Sequence, residues 1–192
     1  MRRGAGLYFR SMETTTLGGY GQMMAVNYPV GLRLIPADKL VMVPPAAMGG
    51  NWSIAGYDMQ LEAGTVCTDL KFKPKQCSFS ESYTRTNDGG LITSAIETRL
   101  IKPDGLMMAW LMTAAQIRWV AVVPLQTEEV LVVGTPELPL LLTWGRASGN
   151  HNDVRISLSG QAWHPALAMT RADFETLGEA EFTIEFDLSF NA

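Results

Sequence analysis

Between Cys77 and Leu100 the side chains alternate in character with hardly a break. Cys77, Phe79, Glu81 and Tyr83 interleave with Ser78, Ser80, Ser82 and Thr84; further on, Ile92, Ser94, Ile96, Thr98 and Leu100 interleave with Thr93, Ala95, Glu97 and Arg99. A period of two places successive side chains on opposite faces of an extended strand and suits no helix. Asn87-Asp88-Gly89-Gly90 separates the two runs, and these residue types accept the left-handed backbone of a tight hairpin turn. A third alternating run covers residues 65–72, with Val66, Thr68, Leu70 and Phe72 against Cys67, Asp69 and Lys71, and ends at Lys73-Pro74-Lys75. The pattern predicts three strands joined by two short turns.

The rest of the chain reads the same way. Short strands are expected at residues 32–35 and 40–43 around the turn Pro36-Ala37-Asp38, and at 52–61 with Gly56 as a bulge. Others are expected at 117–124, 130–133, 139–144 and 154–159, and in a final run where Phe182, Ile184, Phe186, Leu188 and Phe190 alternate with Glu181, Thr183, Glu185, Asp187 and Ser189. One helix is expected over about 104–116, with Asp104 as N-cap and Leu106, Met107, Trp110, Leu111 and Ala114 on one face. A short second helix at about 170–177 takes Thr170 as its cap. Parallel neighbours need long crossovers, and only one gap offers one. The expected class is mainly β, an antiparallel β-sandwich or barrel with one flanking helix.

A chain of 192 residues with 47% hydrophobic side chains can bury one core without disulfides or metals. Residues 1–20 are expected to form a flexible N-terminal arm and residues 21–192 a single β-rich domain. Within the arm, Leu7-Tyr8-Phe9-Arg10-Ser11-Met12 resembles a protease-tag remnant except at Arg10. The longest strongly apolar stretch, 106–115, is about half the roughly twenty residues a bilayer requires, so no membrane partner is expected. The first residues carry charge without an apolar segment, unlike a signal peptide.

Charged side chains make up 18% of the chain, against about 25% in an average globular domain. Residues 1–96 hold nine basic and seven acidic side chains; residues 97–192 hold six and twelve. An acidic second half argues against a dedicated nucleic-acid reader, which needs a basic stripe with interleaved aromatics.

Catalytic and metal signals are weak. His151 lies in the polar loop 145–153 and His164 precedes Pro165, where a turn or capping role is expected. Ser157-Leu158-Ser159-Gly160 is an alternating strand and not a nucleophile elbow. The two histidines, Asp153, Cys67 and Cys77 lack the short paired spacings of metal sites. No cofactor, metal or catalytic residue is expected, and the two cysteines are expected to be free thiols. Met107, Met108 and Met112 read as core filler. Met23, Met24, Lys71, Lys73, Lys75 and His151 are the candidate contacts with neighbouring subunits, the lysines facing the acidic set Glu181, Glu185 and Asp187 of the next copy.

Lys71-Phe72-Lys73-Pro74-Lys75, the turn at residues 87–90, the helix after Asp104, Ile117-Arg118-Trp119-Val120-Ala121-Val122-Val123, the stretch 130–139 with Gly134-Thr135-Pro136-Glu137-Leu138-Pro139, and Val154-Arg155-Ile156-Ser157-Leu158-Ser159-Gly160-Gln161 together resemble a family of small structural proteins of phages and prophages, particularly of Bacteroidetes hosts. About 100 of the 192 residues carry the resemblance; the first 50 and the strand after Gly178 depart from it. The resemblance implies a non-enzymatic virion protein, a tail-tube or head-to-tail connector subunit assembled in the bacterial host cytoplasm. Its implied partners are copies of itself in a ring, with six subunits as one ring size, and other tail or connector proteins. DNA would pass without specific binding, with Glu181, Glu185 and Asp187 facing the lumen. The alternative is a β-sandwich that stacks a carbohydrate or small ligand on Trp52, Tyr57, Trp144 and Trp163.

Overall fold

The computed structural model describes residues 27–44, 52–72, 75–87, 89–101, 103–147, 153–177 and 182–184. The chain runs β1 (Gly31–Pro36), β2 (Leu40–Met42), β3 (Met59–Leu61), β4 (Thr68–Lys71), β5 (Cys77–Thr86) and β6 (Gly89–Ile101). It continues through α1 (Gly105–Ala114), β7 (Arg118–Pro124), β8 (Val130–Val133), β9 (Leu140–Ala147), β10 (Asp153–Ala162), β11 (Leu167–Met169), α2 (Arg171–Thr176) and β12 (Phe182–Ile184). Ten strands form one large sheet in the order β12-β4-β1-β7-β9-β10-β6-β5, with β8 on β7 and β11 on β8; β2 and β3 form a separate pair. The sheet is mainly antiparallel and does not close, so the barrel alternative is excluded and the arrangement is sandwich-like.

β7 explains the layering. Its run Trp119-Val120-Ala121-Val122-Val123 is buried on both faces. Trp119, Ala121 and Val123 enter a first core with Leu32 and Leu34 of β1, Leu142 of β9, Val154, Ile156 and Leu158 of β10, and Ile96 of β6. Val120 and Val122 enter a second core with Ile35, Leu40, Met59, Val130, Val132 and Leu167. The sheet thus wraps the first core, which α1 closes with Leu111 and Ala114, while the β2–β3 pair and α2 cover the second.

Both helices begin at the expected caps. Asp104 accepts from the Met107 amide at 2.7 Å, and Thr170 accepts from the Asp173 amide at 3.1 Å. Within α1 the buried stripe is narrower than expected: Leu106 is 83% exposed and Met112, expected in the core, is 58% exposed. Met107 and Met108 do pack on the first core.

Three expectations are corrected. β4 and β5 do not form a hairpin around the Lys-Pro-Lys turn; β4 pairs with β1 and β12, and β5 pairs with β6. Alternation marked each strand correctly but carries no information about its neighbour. The single expected strand over 52–61 is a bridge at Ser53, a 3₁₀ turn at Gly56–Asp58, and β3. Gly56 makes no bulge; it lets α2 approach, because a Cβ there would stand 2.9 Å from the Asp173 carbonyl oxygen. β12 lies parallel to β4, a pairing between distant segments that needs no single crossover.

The second core is closed by one ion pair that alternation did not reveal. Arg33 and Asp69 sit directly opposite each other on β1 and β4. Arg33 Nε donates to Asp69 Oδ1 at 2.7 Å and Nη2 donates to Oδ2 at 2.9 Å. The guanidinium also lies 4.7 Å from the centre of the Phe174 ring on α2. The hydrogen-bonded carboxylate holds Arg33 protonated more firmly than usual, against the opposing effect of burial. Arg33→Met strands the Asp69 charge and is expected to cost about 3 kcal/mol in urea unfolding, whereas R33M with Asp69→Leu recovers most of that loss.

Candidate assembly surface

Beyond the first core the β5–β6 hairpin continues as a ribbon, flanked on the β6 side by β10 as far as Ile92, opposite Tyr83. On β5, Cys77 is buried and Phe79 half-buried, and then every residue from Ser80 to Thr86 is exposed. The chain reverses where a turn was expected, between Thr86 and Gly89, but Gly89 and Gly90 already belong to β6; Thr86 lies opposite Gly89 and its hydroxyl donates to the Gly89 carbonyl at 2.9 Å. Backbone pairing continues without a bulge from Cys77↔Thr98 to Thr86↔Gly89.

Two contacts anchor the ribbon. Glu81 Oε1 accepts from the Ser94 hydroxyl at 2.9 Å and from the Ala166 amide at 2.8 Å, tying the ribbon to the segment before β11. The Tyr83 ring lies over Gly90, where a Cβ would come within 2.5 Å of it. Tyr83 itself is 67% exposed.

The second edge of β5 has no neighbour among the described residues, since β5 ends the strand order. Long open edges are usually blunted with charged side chains, lysine above all, with proline or with a bulge, and β5 carries Glu81 and Arg85. None of the ten residues of β5 is Lys or Pro.

The sequence candidates are not gathered into one place. Met23, Met24, Lys73, His151, Glu181, Glu185 and Asp187 lie outside the described residues, as does the proposed arm 1–20. Lys71 ends β4, and Lys75 stands before β5 in a left-handed conformation, φ 67°. The expected basic hairpin tip is therefore replaced by a connection between two strands that do not pair. β4 already has an in-chain neighbour, β12, whose three residues belong to the acidic final run.

His164 is buried in a turn, its Nδ1 2.7 Å from the Pro165 carbonyl oxygen, with Trp52 stacked on its ring. Trp163, 51% exposed, meets both Trp52 and His164 edge-on. Trp144 instead packs on the first core and Trp52 on the second, so the four aromatics do not make one stacking platform. An apolar groove of about 400 Å³ beside α1 is lined by Val66, Trp110, Ile117 and Trp119, with the Lys39–Glu62 ion pair at its rim. Among the described residues no three His, Cys, Asp or Glu side chains converge as metal ligands, and no helix is long and apolar enough to cross a membrane.

Comparison with family models, with curated proteins and with solved structures finds no match to this chain.

Cys67 and Cys77 are both buried thiols, not joined by a disulfide. At the base of the ribbon, burial pushes the Cys77 thiol up to about 12. An unfolded thiol ionises near about 8.5, so the contribution of Cys77 to stability is whole below that pH and is lost as pH rises toward the native value. Native protein is expected to resist iodoacetamide at Cys77 at pH 8 until denaturant is added. Cys77→Val is expected to flatten the alkaline loss of stability, measured as urea midpoints across a pH series.

Proposed function

We propose that this chain is a non-enzymatic virion structural protein, a ring-forming phage tail-tube or head-to-tail connector subunit that acts through contacts with copies of itself. The supporting observation is the β5–β6 ribbon: seven successive exposed residues on a strand whose second edge has no neighbour among the described residues and which carries neither lysine nor proline. Backbone groups along such an edge bind another chain readily, and a protein that displays them uses them or aggregates. The low charged fraction, 18%, suits a subunit whose surface is covered by neighbours. The resemblance to phage structural proteins supplies the setting, assembly in a bacterial host and incorporation into the virion. In this reading Glu181, Glu185 and Asp187 line a lumen through which DNA passes, like charge keeping it from adhering.

A second reading, a binding module for a carbohydrate or small ligand, rests on the half-exposed Trp163 backed by Trp52. A ligand stacked there would raise the melting temperature with concentration.

Light scattering over a concentration series, with negative-stain imaging of the same sample, tests the assembly reading. Rings, or tubes of stacked rings, are the expected outcome. Replacing the ribbon beyond Phe79 with a tight turn is expected to reduce the mass of these assemblies. A particle of 21.0 kDa at every concentration, unaltered in the shortened variant, would overturn the reading of the ribbon as a contact between copies.

A further inference from the structure

The exposed run on β5 is self-complementary about one residue. We propose that two copies of this chain join through their β5 edges, antiparallel, on a twofold axis at Tyr83. This inference rests on the reading of the ribbon as a contact between copies, and goes beyond it by naming the symmetry and the register. An isologous joint closes at two copies and makes no ring by itself, so it is a contact additional to any that closes a ring.

The register follows from charge and length. Residues directly opposite in an antiparallel pair share a face of the sheet, so an axis perpendicular to the sheet must pass at a residue position. β5 carries two charged side chains, Glu81 and Arg85, both on the face of Tyr83. An axis at Glu81 or Arg85 sets like charges against each other. An axis at Ser82 or Thr84 leaves both charges opposite uncharged side chains. An axis at Tyr83 sets Glu81 against Arg85 of the second copy, twice, and on the other face sets Ser80 against Thr86 and Ser82 against Thr84.

The lengths agree. That register pairs residues 80–86 with 86–80, and the exposed run of β5 is Ser80–Thr86, centred on Tyr83. The side chains are also disposed for it. The Tyr83 ring leans over Gly90 on β6, away from the free edge. Glu81 uses Oε1 for the Ser94 hydroxyl and the Ala166 amide, and Oε2 accepts no hydrogen bond among the described residues. Among the described residues no carboxylate pairs with Arg85.

Cysteine scanning in the full chain tests the axis, because only the residue on a twofold axis faces its own copy. Opposed Cα atoms across a strand pair stand about 4.5–5.5 Å apart, within the reach of a disulfide. Tyr83→Cys is expected to cross-link to a dimer under mild oxidation. Thr86→Cys, opposite Ser80, is not, and Cys67 and Cys77 are buried and contribute no background. Arg85→Glu alone is expected to weaken the dimer about tenfold, as is Glu81→Arg alone, and an equimolar mixture of the two restores it as a heterodimer. No cross-link at Y83C, or equal cross-linking at T86C, overturns the twofold register. If assemblies still form in that case and the shortened ribbon still reduces their mass, the assembly reading survives without this joint. If shortening the ribbon leaves the number of subunits in the assemblies unchanged, this joint fails together with the reading of the ribbon as a contact between copies.

Discussion

Two-sided burial of β7 is the constraint from which the architecture follows. Trp119, Ala121 and Val123 face one core while Val120 and Val122 face the other, all nearly inaccessible to water. A strand that is apolar on both faces cannot lie on a surface. Burial of apolar area contributes about 25 cal/mol per Å², so leaving either face of this strand open would forfeit several kcal/mol. The large sheet must therefore curl so that β9, β10 and β6 meet one face, with α1 closing that side. The β2–β3 pair and α2 must cover the other.

The two cores are closed differently. The first is mainly apolar, from Leu32 and Leu34 to Ile156 and Leu158, with the buried Thr98 opposite Cys77 and Ile156, and α1 closes it. In the second, polar chemistry does part of the closing: the Arg33–Asp69 pair spans β1 and β4, and the same guanidinium sits against Phe174 of α2. A bidentate pair of this kind costs desolvation and contributes little over a well-packed apolar pair, but it admits few alternative alignments of its strands. Gly56 serves the same closure by letting α2 approach the 3₁₀ turn.

Where the cores end, the ribbon begins. From Ser80 to Thr86 no side chain is buried, so this segment is held by its ladder with β6, which β10 backs as far as Ile92 opposite Tyr83, and by Glu81. A segment stabilised mainly by exposed backbone hydrogen bonds opens more readily than the core strands. β10 flanks β6 only as far as Ile92, opposite Tyr83, so residues 84–86 and their β6 partners are the part of the hairpin with two strands alone.

Much of the local structure was legible from residues alone. The period of two in residues 77–84 and 92–100, the turn at 87–90, the caps Asp104 and Thr170, and the unbroken run 117–124 each report a local backbone preference, and local preferences are written in adjacent residues. What the sequence could not reveal was partnership. β4 reads as the neighbour of β5 because a short turn joins them, yet β4 pairs with β1 and β12. That choice depends on which assembly buries both faces of β7, a sum over the whole chain. The same holds for the candidate site. Glu81, Tyr83 and Arg85 are ordinary members of an alternating run until the strand order puts β5 last among the described strands, and Arg33 is one basic residue among many until β4 places Asp69 opposite it. Sequence determined which segments extend, turn and coil; tertiary structure decided which faces and edges remained exposed, because exposure is set by distant segments that do or do not arrive to cover them.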